Sequence, residues 1–539
     1  MGQREVVILG CGLAGLATGI QLLEAAPDRF RVRILERGHV TGGKASSMPH
    51  VDPATGRTFT VDHGFHVFFD YANLGARLRD LGAMDGLTEL RHDVLIWSEG
   101  KVRRFGAIPL PSPLHLLAGG LQSGLYGPAD GLSVFRFLAS LFVIEIDRLS
   151  ESERQRLDET PFADYARAHG LSETILGSSF FRFITQSAFI YPFPMSTLAA
   201  IAAIQLVSQS YEAVAMRYMN GGLGEVIAAP LLQHFLRRGG ILEPFRQAQR
   251  IEVADGRVAS VAVQASRHFI HSAEMASGFL SNYASVETPV GPPPAGAAPS
   301  GAGAPGPGGG PPPGTVIQVT ADHYVSALPP LDLVGTLGPE TLALPYFAAI
   351  AKLKTQKTVA LTLWYDRLVS PDDADGAIVG LPGPFSTVCD LARIQTDPEG
   401  RGSVVQFVGE DGAFTGKPDR EVVDAAMAVL HGLWPLSRGG VIEKSYFHRG
   451  RHDAFFLSTP GSDALRPAAA SPYPNLVLAG DYTQTGLRVI CMEGAYVSGM
   501  RAANEILARE GLPPAPILPV RQPGGLTQLA RIASRIVDR

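Results

Sequence analysis

Asp62, His63 and His66 stand within four positions of one another in the stretch VDHGFHVFFDY, residues 61–71. These side chains bind metals and move protons, and neutral imidazole does both near neutral pH. The setting is otherwise apolar and aromatic, so a pocket wall is a third use for the segment, and spacing alone does not choose. No other cluster of His, Cys and carboxylate in the sequence completes a ligand set, so no metal is expected. What is left is a proton acceptor, His63 or His66, or a structural role in which Asp62 or His63 hydrogen-bonds nearby backbone. The three cysteines, Cys11, Cys389 and Cys491, stand far apart without a C-x-x-C pair. Neither a zinc knuckle nor a disulfide framework follows, and a reduced intracellular compartment fits.

A second pattern opens the chain. VVILGCGLAGLATGIQLL sets Gly10, Gly12 and Gly15 in G-x-G-x-x-G spacing around Leu13 and Ala14, after a short apolar run and before small and apolar residues at helical intervals. The glycines serve a tight turn, close backbone approach to a pyrophosphate, and close packing of helix on strand. The pyrophosphate sits on the helix N-terminus, where unpaired N–H groups and the dipole favour negative charge. A second strand, FRVRILE, ends at Glu36, followed by Arg37. A carboxylate there takes the ribose hydroxyls of an adenosine and disfavours a 2′-phosphate. Gly42 and Gly43 then allow the backbone to approach a cofactor bulkier than NAD.

From the first glycine through the acid to Gly42-Gly43-Lys44, this segment resembles the FAD-dependent amine oxidase and carotenoid desaturase superfamily, whose signature ends in Gly-Gly-Arg or Gly-Gly-Lys. Near the other end, PNLVLAGDYTQTGLRVICMEGAYVSGMRAANEIL reads as a strand ending in Gly480-Asp481, a loop, and a helix starting near Glu493-Gly494-Ala495. Asp481 can accept from ribitol hydroxyls or merely cap the region, and the helix can point its positive end at the flavin pyrimidine ring. In the resembled superfamily this AGD strand completes the FAD site. ILEPFRQAQRIEVADGRVASVAV reads as paired strands around an Asp255-Gly256 turn. In related flavoproteins the strand before such a turn lies against the adenine, which implies Ala248 or its neighbours. ADHYVSALPP resembles the return strand of the same domain.

The order of DHGFHVFF, LPSPLHLL, SFFRFITQSAFIYPFPMSTLAAIAAI, NGGLGEVIAAPLLQHFLRRGG, VALTLWYDR and AGDYT…MEGA resembles, more narrowly, the plant and cyanobacterial type phytoene and zeta-carotene desaturases. Asp62-His63-Gly64-Phe65-His66 is also similar to the carotenoid ring desaturases that make aromatic end groups. The resemblance implies removal of two hydrogens from adjacent carbons of a long polyene, with hydride passing to flavin N5. It implies an apolar tunnel walled by Phe65, Phe68, Phe69, Phe189, Tyr191 and Phe193, with any proton acceptor drawn from His63, His66, Tyr482 or Glu493. Reoxidation would need a membrane quinone or oxygen. Kept beside this are an isomerase or oxidase of another apolar lipid, a flavin amine oxidase, and a flavin-binding assembly factor without net redox change. For the amine there is no equally clear sequence signal of an aromatic cage.

These residues need a large scaffold. At 539 residues the chain exceeds a single compact core, and at least two domains are expected. It is 45% hydrophobic and 18% charged, with mean hydropathy +0.11, a bias toward an apolar ligand or a greasy exposed patch. Net charge −5 argues against a nucleic-acid footprint. No secretory signal is read before EVVILG, and Val6 stands where a myristoylation pattern needs Ser or Thr. Apolar runs such as FRFLASLFVIEI fall short of the ~20 residues a spanning helix needs. PLPSPLHLLAGGLQS, with two prolines and two adjacent glycines, reads as a poor regular core helix and better as a membrane-dipping segment or channel mouth.

The fold expected is α/β: a Rossmann-type FAD-binding domain with an inserted α+β substrate domain and a helical, partly membrane-associated region. FAD-binding segments span 1–103, 221–330 and 456–510. An apolar helical region spans 104–220 and a substrate-domain sheet 331–455. Residues 287–314, rich in Pro, Gly and Ala, read as a disordered insertion. In the tail, 511–539, LTQLARIASRIVDR forms a basic amphipathic helix, suited to an anionic membrane surface or to docking on the protein. A cytoplasmic, peripherally membrane-associated enzyme is the resulting expectation.

Overall fold

The computed structural model describes residues 2–51, 58–62, 64, 66–69, 71–186, 190–265, 314–395, 402–449, 455–519, 527, 528 and 531. The insertion read at 287–314 lies outside the described residues, save for Gly314.

The apolar run at the start forms strand Arg4–Leu9, whose Val6, Val7, Ile8 and Leu9 are all buried, as a parallel strand covered on both faces requires. It is the centre of a five-stranded parallel sheet in the order Leu476–Leu478, His323–Ser326, Arg4–Leu9, Phe30–Leu35, Ile241–Glu243. The chain therefore leaves the central strand toward one edge and later returns to build the other. Helices Leu13–Ala25, Ala229–Arg237 and Met492–Arg509 pack into one apolar core beneath the sheet. Helices Leu13–Ala25 and Met492–Arg509 touch closely: a Cβ on Gly499 would stand 2.2 Å from the Ala14 carbonyl oxygen. Thr18 Oγ1 donates across the same contact to the Gly499 carbonyl at 3.1 Å. The opposite face carries an antiparallel sheet of Arg246–Ala254, Arg257–Ala265 and Val316–Val319. Its tight connection is the Asp255-Gly256 turn, both residues at positive φ (50° and 70°), which matches the twist of the strands it joins.

A second, seven-stranded sheet runs Ile442–Arg449, Thr358–Tyr365, Val404–Glu410, Phe385–Asp390, Val379–Gly380, Asp93–Ser98, Lys101–Gly106. Helix Asp419–Leu433 packs on it through Val422, Ala426, Leu430 and Leu433. The last two strands come from the early chain and sit in this sheet, although the sequence division groups residues up to 103 with the dinucleotide-binding segments.

Between these strands and the return to the first domain lie helices Leu114–Ser123, Pro128–Val143, Glu151–Glu159, Phe162–Ala168, Glu173–Leu176, Ser179–Gln186 and Thr197–Ser208. Their shared core includes Phe137, Leu141, Phe142, Phe162, Leu198 and Ile201. PLPSPLHLLAGGLQS does supply a regular helix, Leu114–Ser123. Its two glycines serve contact: a Cβ on Gly119 would lie 2.1 Å from the Gly106 carbonyl oxygen, and one on Gly120 2.3 Å from the Tyr126 ring. Leu121 (38% exposed), Leu132 (60%) and Phe135 (37%) leave an apolar surface on this helix and the next. Among the described residues no helix is long and apolar enough to cross a membrane.

The C-terminal segment binds back across the molecule. Asn504 exchanges two hydrogen bonds with the Ala515 backbone, at 2.8 and 2.9 Å, and Asn73 does the same with Leu518, at 2.8 and 3.0 Å. Farther on, Thr527 Oγ1 donates to the Ser112 carbonyl at 3.0 Å. Buried Arg531 donates to the carbonyls of Phe142 (2.8 Å) and Ile144 (3.1 Å), at the negative end of helix Pro128–Val143.

Candidate functional site

Gly10 ends the central strand at φ +101°, a conformation open to glycine, and its N–H donates to the Leu35 carbonyl at 2.8 Å. A Cβ on Gly15 would stand 2.1 Å from the Gly10 carbonyl oxygen, so the helix can begin this close to the strand only with glycine there. Leu13 and Ala14 are buried in its first turn. Gly42 donates its N–H to the Cys11 carbonyl at 2.8 Å, and Gly12 and Gly42 form a parallel bridge. A Cβ on Gly43 would lie 3.1 Å from Gly12 Cα. The two glycine segments thus make one thin-walled cradle.

Glu36 anchors it. Its Oε2 accepts from the Cys11 N–H at 2.8 Å and its Oε1 from the Gly38 N–H at 3.1 Å. The Arg246 N–H donates to the Glu36 carbonyl at 2.8 Å, so the strand carrying Ala248 starts beside the acid, with Ala248 partly buried against the adjoining core. Arg37 extends to Asp332 at 3.6 Å.

From the far end of the chain, strand Leu476–Leu478 leads into Gly480 and buried Asp481. Lys44 Nζ donates to Asp481 Oδ2 at 2.5 Å, joining residues 437 positions apart, and also lies 5.3 Å from the Phe455 ring centroid. Helix Met492–Arg509 follows, with Cys491 Sγ accepting from the Gly494 N–H at 3.2 Å and the Cys491 carbonyl from the Ala495 N–H at 3.1 Å. The amides of Met492 and Glu493 keep the donor capacity of any first helical turn. Glu493 turns elsewhere: it accepts from the backbone N–H and Nδ2 of Asn73 (2.8 and 2.9 Å) and from the Leu74 N–H (2.9 Å). Burial raises its carboxyl above the ordinary range, and both oxygens cap helix Ala72–Asp80 from another element. Tyr482 packs in a core cluster with Tyr473 and Ile490, and burial holds its hydroxyl well above the usual range, which makes it a donor rather than a base.

The 61–71 segment links this cradle to the second sheet. Asp62 accepts from the Leu223 N–H at 3.1 Å and from Ser47 Oγ, while Ser47 Oγ accepts from the Gly224 N–H at 2.6 Å. These bonds hold the turn that leads into helix Ala229–Arg237, whose preceding residue, Ala228, abuts Gly42. Burial lifts the Asp62 carboxyl to about 7. Gly64 meets the second sheet: a Cβ there would be 2.9 Å from Val408 Cγ2. Burial pushes the His66 imidazole down to about 4, so it is neutral at neutral pH, and its Nδ1 has no partner among the described residues. His63, Phe65 and Phe189 lie outside the described residues. Phe68 packs in the first domain's core, edge-on to Tyr71 with centroids 5.1 Å apart. Phe69 is half-buried beside Tyr71, Tyr191 lies under Arg182 with its centroid 5.9 Å from the guanidinium, and Phe193 is 41% exposed.

The arrangement fits a flavin dinucleotide. The cradle lies at the carboxyl ends of the parallel strands, where strand order reverses and such ligands bind. Buried Ser326 Oγ, at the end of its strand and next to Ala479, has no partner among the described residues. Three participants carried no sequence signal: Ser47, Asn73 and Arg466, the last donating to the carbonyls of Asp481 and Thr483.

The family pattern of flavin-containing amine oxidoreductases matches residues 313–507, and that of NAD(P)-binding Rossmann-like domains matches residues 8–81. Over 94% of this chain and 96% of the relative, the sequence is 24% identical to 15-cis-phytoene desaturase of Synechococcus elongatus. It is 25% identical to a probable zeta-carotene desaturase of the same organism, over 94% of this chain and 99% of the relative. To the carotenoid phi-ring synthase of Chlorobaculum tepidum it is 25% identical, over 96% and 91%. Among solved structures, cyclohexylamine oxidase from Brevibacterium oxydans shares the fold at TM-score 0.58 and 15% identity, covering 94% of this chain and all of that one. The dinucleotide cradle and the two matched patterns meet at one site, and the chain, which carries the flavin-containing amine oxidoreductase pattern over residues 313–507, is an FAD-dependent oxidoreductase.

Proposed function

We propose that the chain desaturates a long apolar polyene, a carotenoid, by removing two hydrogens from adjacent carbons. The likeness to carotenoid desaturases supports this most, because it runs over 94% of the chain, middle segments included, and is not confined to the loops that many flavoproteins share. FAD, when bound, supplies an electron sink that takes hydride from carbon. Gly10, Gly12 and Gly15 would hold its pyrophosphate, Glu36 the adenosine ribose and Ala248 the adenine side. Lys44, Asp481 and the start of helix Met492–Arg509 would hold the flavin end.

Allylic hydrogens need orientation more than a strong base. Glu493 and Tyr482 suit that chemistry as a clamp and a buried donor, and His66 presents a neutral ring to an apolar substrate. Phe65, Phe69, Phe189 and Tyr191 are the proposed pocket wall. A second reading, desaturation of the polyene's end ring, draws on the likeness to the phi-ring synthase over 96% of the chain. The substrate's solubility makes a membrane surface the proposed source. Leu121, Leu132 and Phe135 are the proposed contact. The electron acceptor is proposed to be a quinone or oxygen.

Anaerobic mixing of the FAD-loaded protein with an acyclic C40 polyene is expected to bleach the flavin absorption stoichiometrically. Product analysis then separates chain desaturation from ring aromatisation, and admission of quinone or of oxygen identifies the acceptor. Bleaching by amines and by no polyene would overturn the proposal.

A further inference from the structure

Arg466 lies inside the flavin end of the cradle and is 3% exposed. Among the described residues its guanidinium donates to main-chain oxygens alone: Nη2 to the carbonyls of Asp481 (2.8 Å) and Thr483 (2.6 Å), and Nε to that of Thr483 (3.2 Å). It stands over the Phe456 ring, 5.1 Å from the centroid. Its own carbonyl accepts from Gln484 Nε2 and that of Pro467 from the Gln484 N–H, both at 2.9 Å. The 466–467 and 481–484 segments are therefore laced together around one buried cation.

Two carboxylates close to it carry their own cation partners. Asp481 pairs with Lys44 at 2.5 Å and Asp463 with Arg488 at 3.4 Å. Among the described residues no carboxylate pairs directly with Arg466, whose charge is met there by main-chain oxygens. Burial lowers the Arg466 guanidinium to about 10, so it stays protonated at neutral pH. A buried charge without a counter-ion is unfavourable by itself, and main-chain oxygens compensate it only in part. A ligand that gains negative charge beside it would complete the balance.

We propose that Arg466 is a positioning residue that sets the flavin's potential: it shapes the Asp481–Thr483 turn that receives the cofactor, and its buried charge favours the reduced state. This rests on FAD occupying the cradle. The alternative is a fastener that shapes the turn without electrostatic consequence.

The test uses the FAD-loaded protein and its Arg466→Met and Arg466→Lys variants, with the flavin's reduction equilibrium against a reference dye measured anaerobically at neutral pH. With Met, the equilibrium constant for two-electron reduction is expected to fall about tenfold, which is about 30 mV more negative. With Lys the potential should stay near the original value because the charge remains, while FAD dissociates faster because the fork to two carbonyls is lost. A Met variant that holds FAD at the original potential overturns the inference. So does a Lys variant whose potential falls as far as that of Met. Should the Met variant not fold, Arg466→Gln takes its place: a tenfold fall in its equilibrium constant upholds the inference, and the original potential overturns it. An unaltered protein that holds no FAD would instead remove the cofactor assignment itself.

Discussion

Glu410 ends its strand fully buried, with Ser386 Oγ donating to its two oxygens at 3.3 and 3.4 Å. Burial raises its carboxyl from 4.5 to about 8. An acid whose folded value lies above its unfolded value binds its proton more tightly in the folded chain. Its stabilising contribution is therefore complete below about pH 4.5 and is lost as pH rises through about 8. Glu410→Gln keeps the shape without the ionisation. The variant is expected to gain melting temperature relative to the parent steadily from about pH 5 to about pH 8. A difference that stays flat across that range, measured by thermal denaturation, would show that Glu410 does not titrate in this way. At this scale the sequence is informative only where partners are local. Glu36 announces itself by its place after a strand, and the amides it receives lie nearby at Cys11 and Gly38. Glu493 was readable as an acid at a helix start but not as the cap of helix Ala72–Asp80, because Asn73 is 420 positions away. Arg466 offers no pattern at all, since its acceptors are main-chain carbonyls that any residue would carry.

Helices Leu13–Ala25 and Met492–Arg509 approach each other at Gly499, where a Cβ would meet backbone at Ala14 and the Ala17 methyl at 2.7 Å. Backbone cannot swing aside, so Gly499→Ala must separate the two helices. The expected cost is about 1–3 kcal/mol, read as a lowered denaturation midpoint, together with weaker FAD retention because both helices carry cradle residues at their N-termini. Unchanged stability would mean that the pair is more loosely packed. The elements themselves divide by the same rule of locality. The Asp255-Gly256 turn and the G-x-G-x-x-G loop were legible because glycine there answers a need within a few residues. Gly119 and Gly120, with the two prolines before them, count against a regular core helix in the sequence, whereas what they accommodate is strand Lys101–Gly106 and Tyr126, a tertiary demand that no window of sequence displays.

For the molecule as a whole, the apolar excess in composition was a fair sign of an apolar surface, but not of its place. Leu132 and Phe135 are three apart on one helix and share a side of it, with Leu121 against Gly131 beside them. If this surface meets the membrane, Leu132→Asp combined with Phe135→Asp should abolish co-flotation with phospholipid vesicles while leaving FAD content and melting temperature near those of the parent. Flotation unaffected by the pair would place the membrane contact elsewhere. The basic tail bears differently on the same question. Arg531 spends its donors on the end of helix Pro128–Val143, which favours the docked alternative for that part of the tail.

The Lys44–Asp481 bond has a consequence in time. A ribosome delivers the first glycine loop long before Asp481, and the central strand waits for partners at 323–326 and 476–478. Contacts of such sequence separation form late and slowly, and a partly made chain exposes its apolar segments meanwhile. The dinucleotide pocket is therefore complete only after nearly the whole polypeptide has been synthesised, and FAD enters as one of the last events of maturation. A chain stopped before residue 480 would carry the nucleotide fingerprint and yet be an aggregation-prone client of chaperones rather than a small flavoprotein.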